Sequence, residues 1–557
     1  MKIVYSYVVR GMIHNKKLIH TQRGIFLLLS MVLILVQTGS VSAAPNTPTG
    51  PDRYTYAPVD YISYTWWMMT WADNELVCEI SIEHEGLPLY SEVYVDCGEG
   101  LANAWLEQEN CPPDLYHDHP SQCPGYYLHL AESETKTREI AIALPAPMVW
   151  ITLPNCTVEN GTNRCESPPT LVLQGEEPIA EERIIAITGA VDNEPFACQN
   201  ARCELPLIET DIEGVRVEFW AASSYGDTSQ LFEANVRVLV QETEDGDIFW
   251  YVDVLSSQWR GEANASCAES WDAFPPEGGV PFWLSTPESV DQLESDLQYT
   301  YLAGNLIERG VVDASQCLDF GIDAYGQATP CGLEAAQDAM LDWQNRFDQL
   351  ILDAAQETQV PAVLLKRLFA RESQFWPGVF NEGTDVGLGQ LTVEGADFAF
   401  TWNAIFFEQF CPFVLDESEC EKGYLHLSDE DSAYLRESLV YSVNATCEDC
   451  PLGVDLAQAD QSVNIFANTL RASCEQTGSV VYNNTGEIPG AVASYEDLWR
   501  FTLVNYNAGA GCLGLAIDAA YSQGLALNWT NVSQNLTQVC SETEIYVNDI
   551  HRDEEQP

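Results

Sequence analysis

Residues 361–378 read PAVLLKRLFARESQFWPG, and how this stretch folds decides what the C-terminal half of the chain is. Leu364, Leu365 and Leu368 recur at the three- and four-residue spacing of one helical face. Pro361 is placed to open that helix, because its fixed φ and missing N–H suit a first turn. Pro377-Gly378 closes it. The next position on the apolar face is Glu372, a carboxyl pointing where the core should be. Low dielectric penalises the anion, so a carboxyl buried there is expected to keep its proton near neutral pH. The plain alternative is an amphipathic helix whose last acid turns out into water.

The residues that follow favour the first reading. Glu372 is followed by Ser373, Phe375 and Pro377, then by Gly387-Leu388 and Gln390. Much later come Asn505-Tyr506-Asn507-Ala508-Gly509 and Gly511. In this order the three blocks resemble the lysozyme-like domain of soluble lytic transglycosylases and goose-type lysozymes, over roughly residues 335–540. The chain departs from the family at Asn381, where a Ser is usual, and at Gly389, where a Met is usual. An amide at 381 can still donate to a sugar, and the small residue at 389 is expected to widen one wall of the cleft. The segment 405–455, acidic and with four cysteines, reads as an insertion between the second and third blocks.

The resemblance implies a mainly α lysozyme-like domain that cuts peptidoglycan between N-acetylmuramic acid and N-acetylglucosamine. Glu372 would protonate the glycosidic oxygen and then, as base, take the proton of the sugar's own 6-hydroxyl, closing a 1,6-anhydro ring. One carboxyl then suffices, in contrast to the usual two-carboxylate plan. Gln390 and Tyr506 would position the substrate's N-acetyl and hydroxyl groups, with Ser373, Asn381 and Asn507 supporting or binding it. Each support role has a structural alternative: Ser373 as a helix cap, Asn507 as a turn residue, Tyr506 as core. A hydrolytic muramidase remains open if Asp385 or Asp397 stands ~6.5–9.5 Å from Glu372 with room for water. A third reading is a surface or adhesion protein whose lysozyme-like domain binds glycan without cutting it. An enzyme acting on foreign walls would share the same chemistry.

Upstream the pattern is different. From about 53 to 258 the chain is built of short runs rich in Val, Ile, Thr, Tyr and Trp between Gly, Pro, Asn and Asp clusters, such as Val215–Trp220 and Ala234–Val240. The fold class expected is therefore multidomain: N-terminal β-sandwich, immunoglobulin-like modules followed by a mainly α lysozyme-like domain. The boundaries read as a β-rich disulfide-containing module at 45–165, thought to be a sandwich held by Cys78, Cys97, Cys111 and Cys123, and an immunoglobulin-like sandwich at 166–258. A connector with one helix near 288–309 fills 259–332, the lysozyme-like domain takes 333–545, and an acidic tail takes 546–557. The run Tyr64–Met69 with Trp71 offers either a sugar-stacking platform or core plus one exposed ring.

Residues 1–44 read as a secretory signal: no acidic residue, five basic ones, an apolar run Gly24–Val36 and then Val41-Ser42-Ala43-Ala44. The run is short of the ~20 residues that span a bilayer, so membrane attachment is expected only if the leader stays uncleaved. All 18 cysteines lie after it, an even number that suits disulfides in an oxidising compartment and a secreted or cell-surface protein. The spacing Cys447-Glu448-Asp449-Cys450 could be half a zinc site, but with little His and no second such pair a disulfide is the better reading. Removing the leader leaves 19 basic against 84 acidic residues, a net charge of −65. That excludes nucleic-acid binding through a basic face. The acidic loop Glu242–Asp247 lacks EF-hand spacing and reads as a solvated turn. The expected partner is the glycan strand of peptidoglycan; no metal or organic cofactor is implied, and the oligomeric state is not legible.

Overall fold

The computed structural model describes residues 53–552 except 110, 113, 114, 116, 117, 160, 161, 243–245, 262–266, 381 and 382. The leader, Asn381 and the middle of the acidic loop at 242–247 thus lie outside the described residues. Three bodies follow one another along the chain, each with its own apolar core.

The first is a single sheet, not the sandwich its composition suggested. Strands β1 (Tyr54–Thr70), β2 (Leu76–Ile82) and β3 (Tyr126–Ala143) pair antiparallel in the order β2-β1-β3. The alternating run from 54 to 70 stays one long strand, and the residues between β2 and β3 supply helices α1 (Tyr90–Cys97) and α2 (Glu99–Leu106). Met68, Ile80, Ile82, Val93 and Ala102 form the small core, and disulfides join Cys78 to Cys97 and Cys111 to Cys123. The aromatic run divides by strand alternation: Met68 is fully buried, and Trp67 on the opposite face is 37% exposed beside the His129 ring.

The second body is a two-sheet sandwich. One sheet has β4 (Met148–Thr152), β7 (Thr170–Glu176) and β10 (Arg202–Pro206) in the order β10-β7-β4. The other contains β5 (Cys156–Glu159), β6 (Thr162–Cys165), β8 (Ile184–Val191), β9 (Glu194–Cys198), β11 (Val215–Ser223), β12 (Phe232–Glu242) and β13 (Ile248–Leu255). Its order is β5-β6-β13-β12-β11-β8-β9. Alternate residues such as Val217, Phe219 and Ala221 of β11 point into a core shared with Ile151 and Leu173 of the facing sheet. The boundary expected at 165/166 is therefore corrected to the start of β4, since β4, β5 and β6 complete this sandwich. Arg53, at the foot of β1, donates to Glu177 at 2.7 Å and to the carbonyl of Pro145, tying the first body to the second.

The described residues from 267 onward pack into one helical body. Helices α3 (Cys267–Trp271) and α4 (Thr300–Glu308) precede α5 (Pro330–Asn345), α6 (Asp348–Thr358) and α7 (Ala362–Ser373). A short hairpin, β14 (Val379–Phe380) with β15 (Asp385–Val386), leads to α8 (Val393–Trp402), α9 (Ala404–Phe410), α10 (Glu417–Cys420) and α11 (Asp429–Val443). The two longest helices, α12 (Leu456–Thr485) and α14 (Tyr495–Ser522), flank the short α13 (Pro489–Val492). The chain ends through α15 (Trp529–Gln534) and α16 (Glu542–His551).

Two expected boundaries move here. The segment 259–332 is no mere connector, because Trp271, Trp283, Leu302 and Leu306 are buried in the helical core and Cys267 is bonded to Cys474 of α12. The tail at 546–557 begins inside α16, whose Tyr546, Val547 and Ile550 are buried. Their i, i+1 and i+4 spacing was legible as a helix face but was masked by the surrounding acids. The pairs 156–165, 198–203, 411–420 and 447–450 are disulfides, so the zinc alternative at 447–450 falls, and no free cysteine is found. Such cysteine use fits an extracellular protein. Among the described residues no helix is long and apolar enough to cross a membrane.

Candidate active site

Glu372 lies where α7 meets the end of its apolar face. Leu364, Leu365 and Leu368 are fully buried, and the helix stops at Ser373, four residues before Pro377. It stops there because Gln374 and Phe375 both adopt left-handed backbone, at φ 48° and 61°. This reversal buries the Phe375 ring and presents its carbonyl to Trp343 Nε1 at 2.9 Å. Trp376 stacks on Trp343 with ring centroids 5.1 Å apart. The acid is thus carried on a clamped helix end.

Three other segments converge on it. Gln390, at φ 54° in the turn after β15, donates its side-chain amide to the backbone carbonyl of Glu372. Tyr506 of α14 donates its hydroxyl to the carbonyl of Gly389 at 2.7 Å. Tyr546 of α16 donates its hydroxyl to Glu372 Oε1 at 2.6 Å. Asn507 accepts from the hydroxyl of Thr543 at 2.9 Å, which links α14 to α16. Glu372, Gln390, Tyr506 and Asn507 border a cavity of about 590 Å³ whose lining also includes Asp385 and Glu394.

The setting controls the acid. Burial pushes the Glu372 carboxyl up to about 7, and the nearby Asp385 adds to the rise; the Tyr546 hydrogen bond and Arg371 oppose it. Burial together with the Glu372 charge also holds the Tyr506 and Tyr546 hydroxyls well above the ordinary phenol value, so both remain donors.

The structure sorts the residues expected from sequence. Glu372, Asp385, Gln390, Tyr506 and Asn507 come together around the cavity. Ser373 does not line it: the side chain is buried and its hydroxyl bonds the carbonyl of Leu388 at 2.7 Å, fastening the turn to α7. Asp397 is not in the lining and faces the inserted segment instead, accepting from the Tyr424 hydroxyl and from Arg436 Nη1 at 2.8 Å. The expected widening at Gly389 is also overturned, because the Phe466 ring occupies the space a side chain would take there. Tyr546, hidden in the presumed tail, escaped the sequence reading although it bonds the acid, as did Glu394 of the lining, in the first turn of α8. Among the described residues no cluster of His, Cys, Asp or Glu is arranged to hold a metal.

No family model and no curated protein matches the chain. Among solved structures, a polysaccharide lyase aligns over 77% of this chain and 53% of its own at 10% identity. The TM-score of that alignment is 0.14, a likeness that carries no argument about fold or function.

Proposed function

We propose that this protein is an extracellular enzyme that cleaves the muramic acid–glucosamine bond of peptidoglycan by lytic transglycosylation. In this reading the helical body is a lysozyme-like domain and the sandwich an immunoglobulin-like module. The observation that carries it is Glu372: one buried carboxyl, raised to about 7, at the edge of a cavity large enough for sugar rings.

The geometry supports each step. Tyr546 donates to Oε1 of Glu372, which leaves Oε2 to carry the acidic proton. That proton passes to the glycosidic oxygen as the bond from the anomeric carbon breaks. The resulting carboxylate then takes the proton of the muramic acid 6-hydroxyl, whose oxygen closes onto the anomeric carbon. Glu372 ends protonated as it began. Gln390, anchored to the Glu372 carbonyl, and Tyr506, anchored to Gly389, hold the groups beside it in place.

Asp385 favours a second reading, since it borders the same cavity and could activate water for hydrolysis. Mass spectrometry of products from purified peptidoglycan decides between them. Anhydro-muramic ends are expected from the wild type and none from Glu372→Gln. Reducing ends would favour hydrolysis, and an equally active Gln variant would end both readings.

A further inference from the structure

The charge around the cavity is one-sided. Several of its side-chain donors are committed within the protein: one N–H of the Gln390 amide to Glu372, the Tyr506 hydroxyl to Gly389, the Thr469 hydroxyl to Ile465 and the Ser473 hydroxyl to Thr469. Asn505 Nδ2 likewise donates to the carbonyl of Ser473 at 3.0 Å. Side-chain donors remain on Thr392, Gln476 and Asn507. The charged groups of the lining are all acids, the carboxyls of Glu372, Asp385 and Glu394, with no Lys, Arg or His among them.

Asn505 gives a second, independent indication. It lines the cavity, is only 4% exposed, and its Oδ1 has no hydrogen-bond partner. A buried acceptor left unpaired is costly, and a ligand N–H or O–H would relieve it. A ligand rich in hydroxyl and amide donors fits these walls. A carboxylate does not, because it would meet the carboxyls of Asp385 and Glu394 with no Lys, Arg or His in the lining to offset them.

We propose that the cavity selects by charge: it accepts muramic acid whose lactyl carboxyl is capped as an amide by its peptide, and rejects the same strand once the peptide is hydrolysed off. This rests on the peptidoglycan-cleaving reading above. It places the enzyme's reaction before, not after, hydrolysis of the lactyl amide.

The test compares three substrates with the full-length protein: intact strands, strands stripped by an amidase, and stripped strands recapped as methylamides. Initial cleavage rates on intact and recapped strands should exceed that on stripped strands by about tenfold or more. In Glu394→Gln this gap should narrow. Stripped strands cut as fast as intact ones would overturn the proposal and leave the enzyme assignment standing. Recapped strands as poor as stripped ones would mean that the peptide's bulk is read, not charge, and would overturn it too. A gap unchanged in Glu394→Gln would count against the role given to this lining. Failure on all three substrates would instead overturn the assignment beneath it.

Discussion

The hydroxyl of Tyr546 donates to Oε1 of Glu372 at 2.6 Å, joining two residues 174 positions apart in the chain. Helix α16 thereby closes over the end of α7, and the Arg371 guanidinium lies 5.5 Å from the Tyr546 ring centroid. The last helix is part of the acid's environment.

Tyr546→Phe keeps the ring and removes the donor. Because that hydrogen bond favours the ionised carboxyl, its loss should raise Glu372 above about 7. The high-pH limb of a kcat/KM profile should then move to higher pH, with kcat lowered roughly tenfold. An unmoved limb would separate Tyr546 from the titrating group.

Glu372→Gln should abolish cleavage and stabilise the protein at alkaline pH. The native carboxyl binds its proton more tightly than the unfolded one, about 7 against the ordinary 4.5. Stability contributed by this group is therefore complete below pH 4.5 and is lost as pH rises toward 7. The amide escapes this loss and can still accept from Tyr546. Denaturant unfolding should show a gain of up to roughly 3 kcal/mol at pH 8 and little at pH 4.

Gly389→Ala would set a Cβ 2.3 Å from Cδ1 of Phe466. The buried ring has to move, at a cost of about 1–3 kcal/mol. Activity should fall as well, because the carbonyl of Gly389 anchors Tyr506. Phe466→Leu in the same background should recover part of the stability, giving a favourable coupling in a double-mutant cycle. Strict additivity would show that the two sites do not share that space.

A fragment spanning 333–545 should not fold cooperatively. It lacks Tyr546, Val547 and Ile550 as well as Trp271, Leu302 and Leu306, all buried in the helical core. Each such side chain is worth about 1.5–3 kcal/mol, and domains are stable by only ~5–15 kcal/mol. A fragment of 256–557 should give a single sharp thermal transition. Circular dichroism melts of the two fragments check this, and equal cooperativity would contradict the packing.

Thiol titration of the denatured, unreduced protein should find no free thiol, since every cysteine is paired. Detection of several would break the case for an oxidising compartment.

Much of this was open to reading along the chain because the signals are local. The change of apolar period near 333, the stripe Leu364–Leu365–Leu368 ending in Glu372, and the close cysteine pairs each need only neighbouring residues. Alternation likewise marks the strands of the sandwich. It could not say which strands share a sheet, so β4, β5 and β6 were assigned to the wrong body. Pairing between β6 and β13 joins residues some ninety positions apart and leaves no mark in either run.

The sequence by itself determined that an acid would stand at the end of a buried helical face in a disulfide-rich, strongly acidic chain. Tertiary structure alone decided what surrounds that acid. Tyr546 entered through a helix read as tail, Asp397 left through its pairing with Arg436, and Phe466 took the space beside Gly389. The physical reason is that a carboxyl's pKa and a cavity's walls depend on distances of a few ångströms between segments far apart in the chain, and residue order does not encode those distances locally.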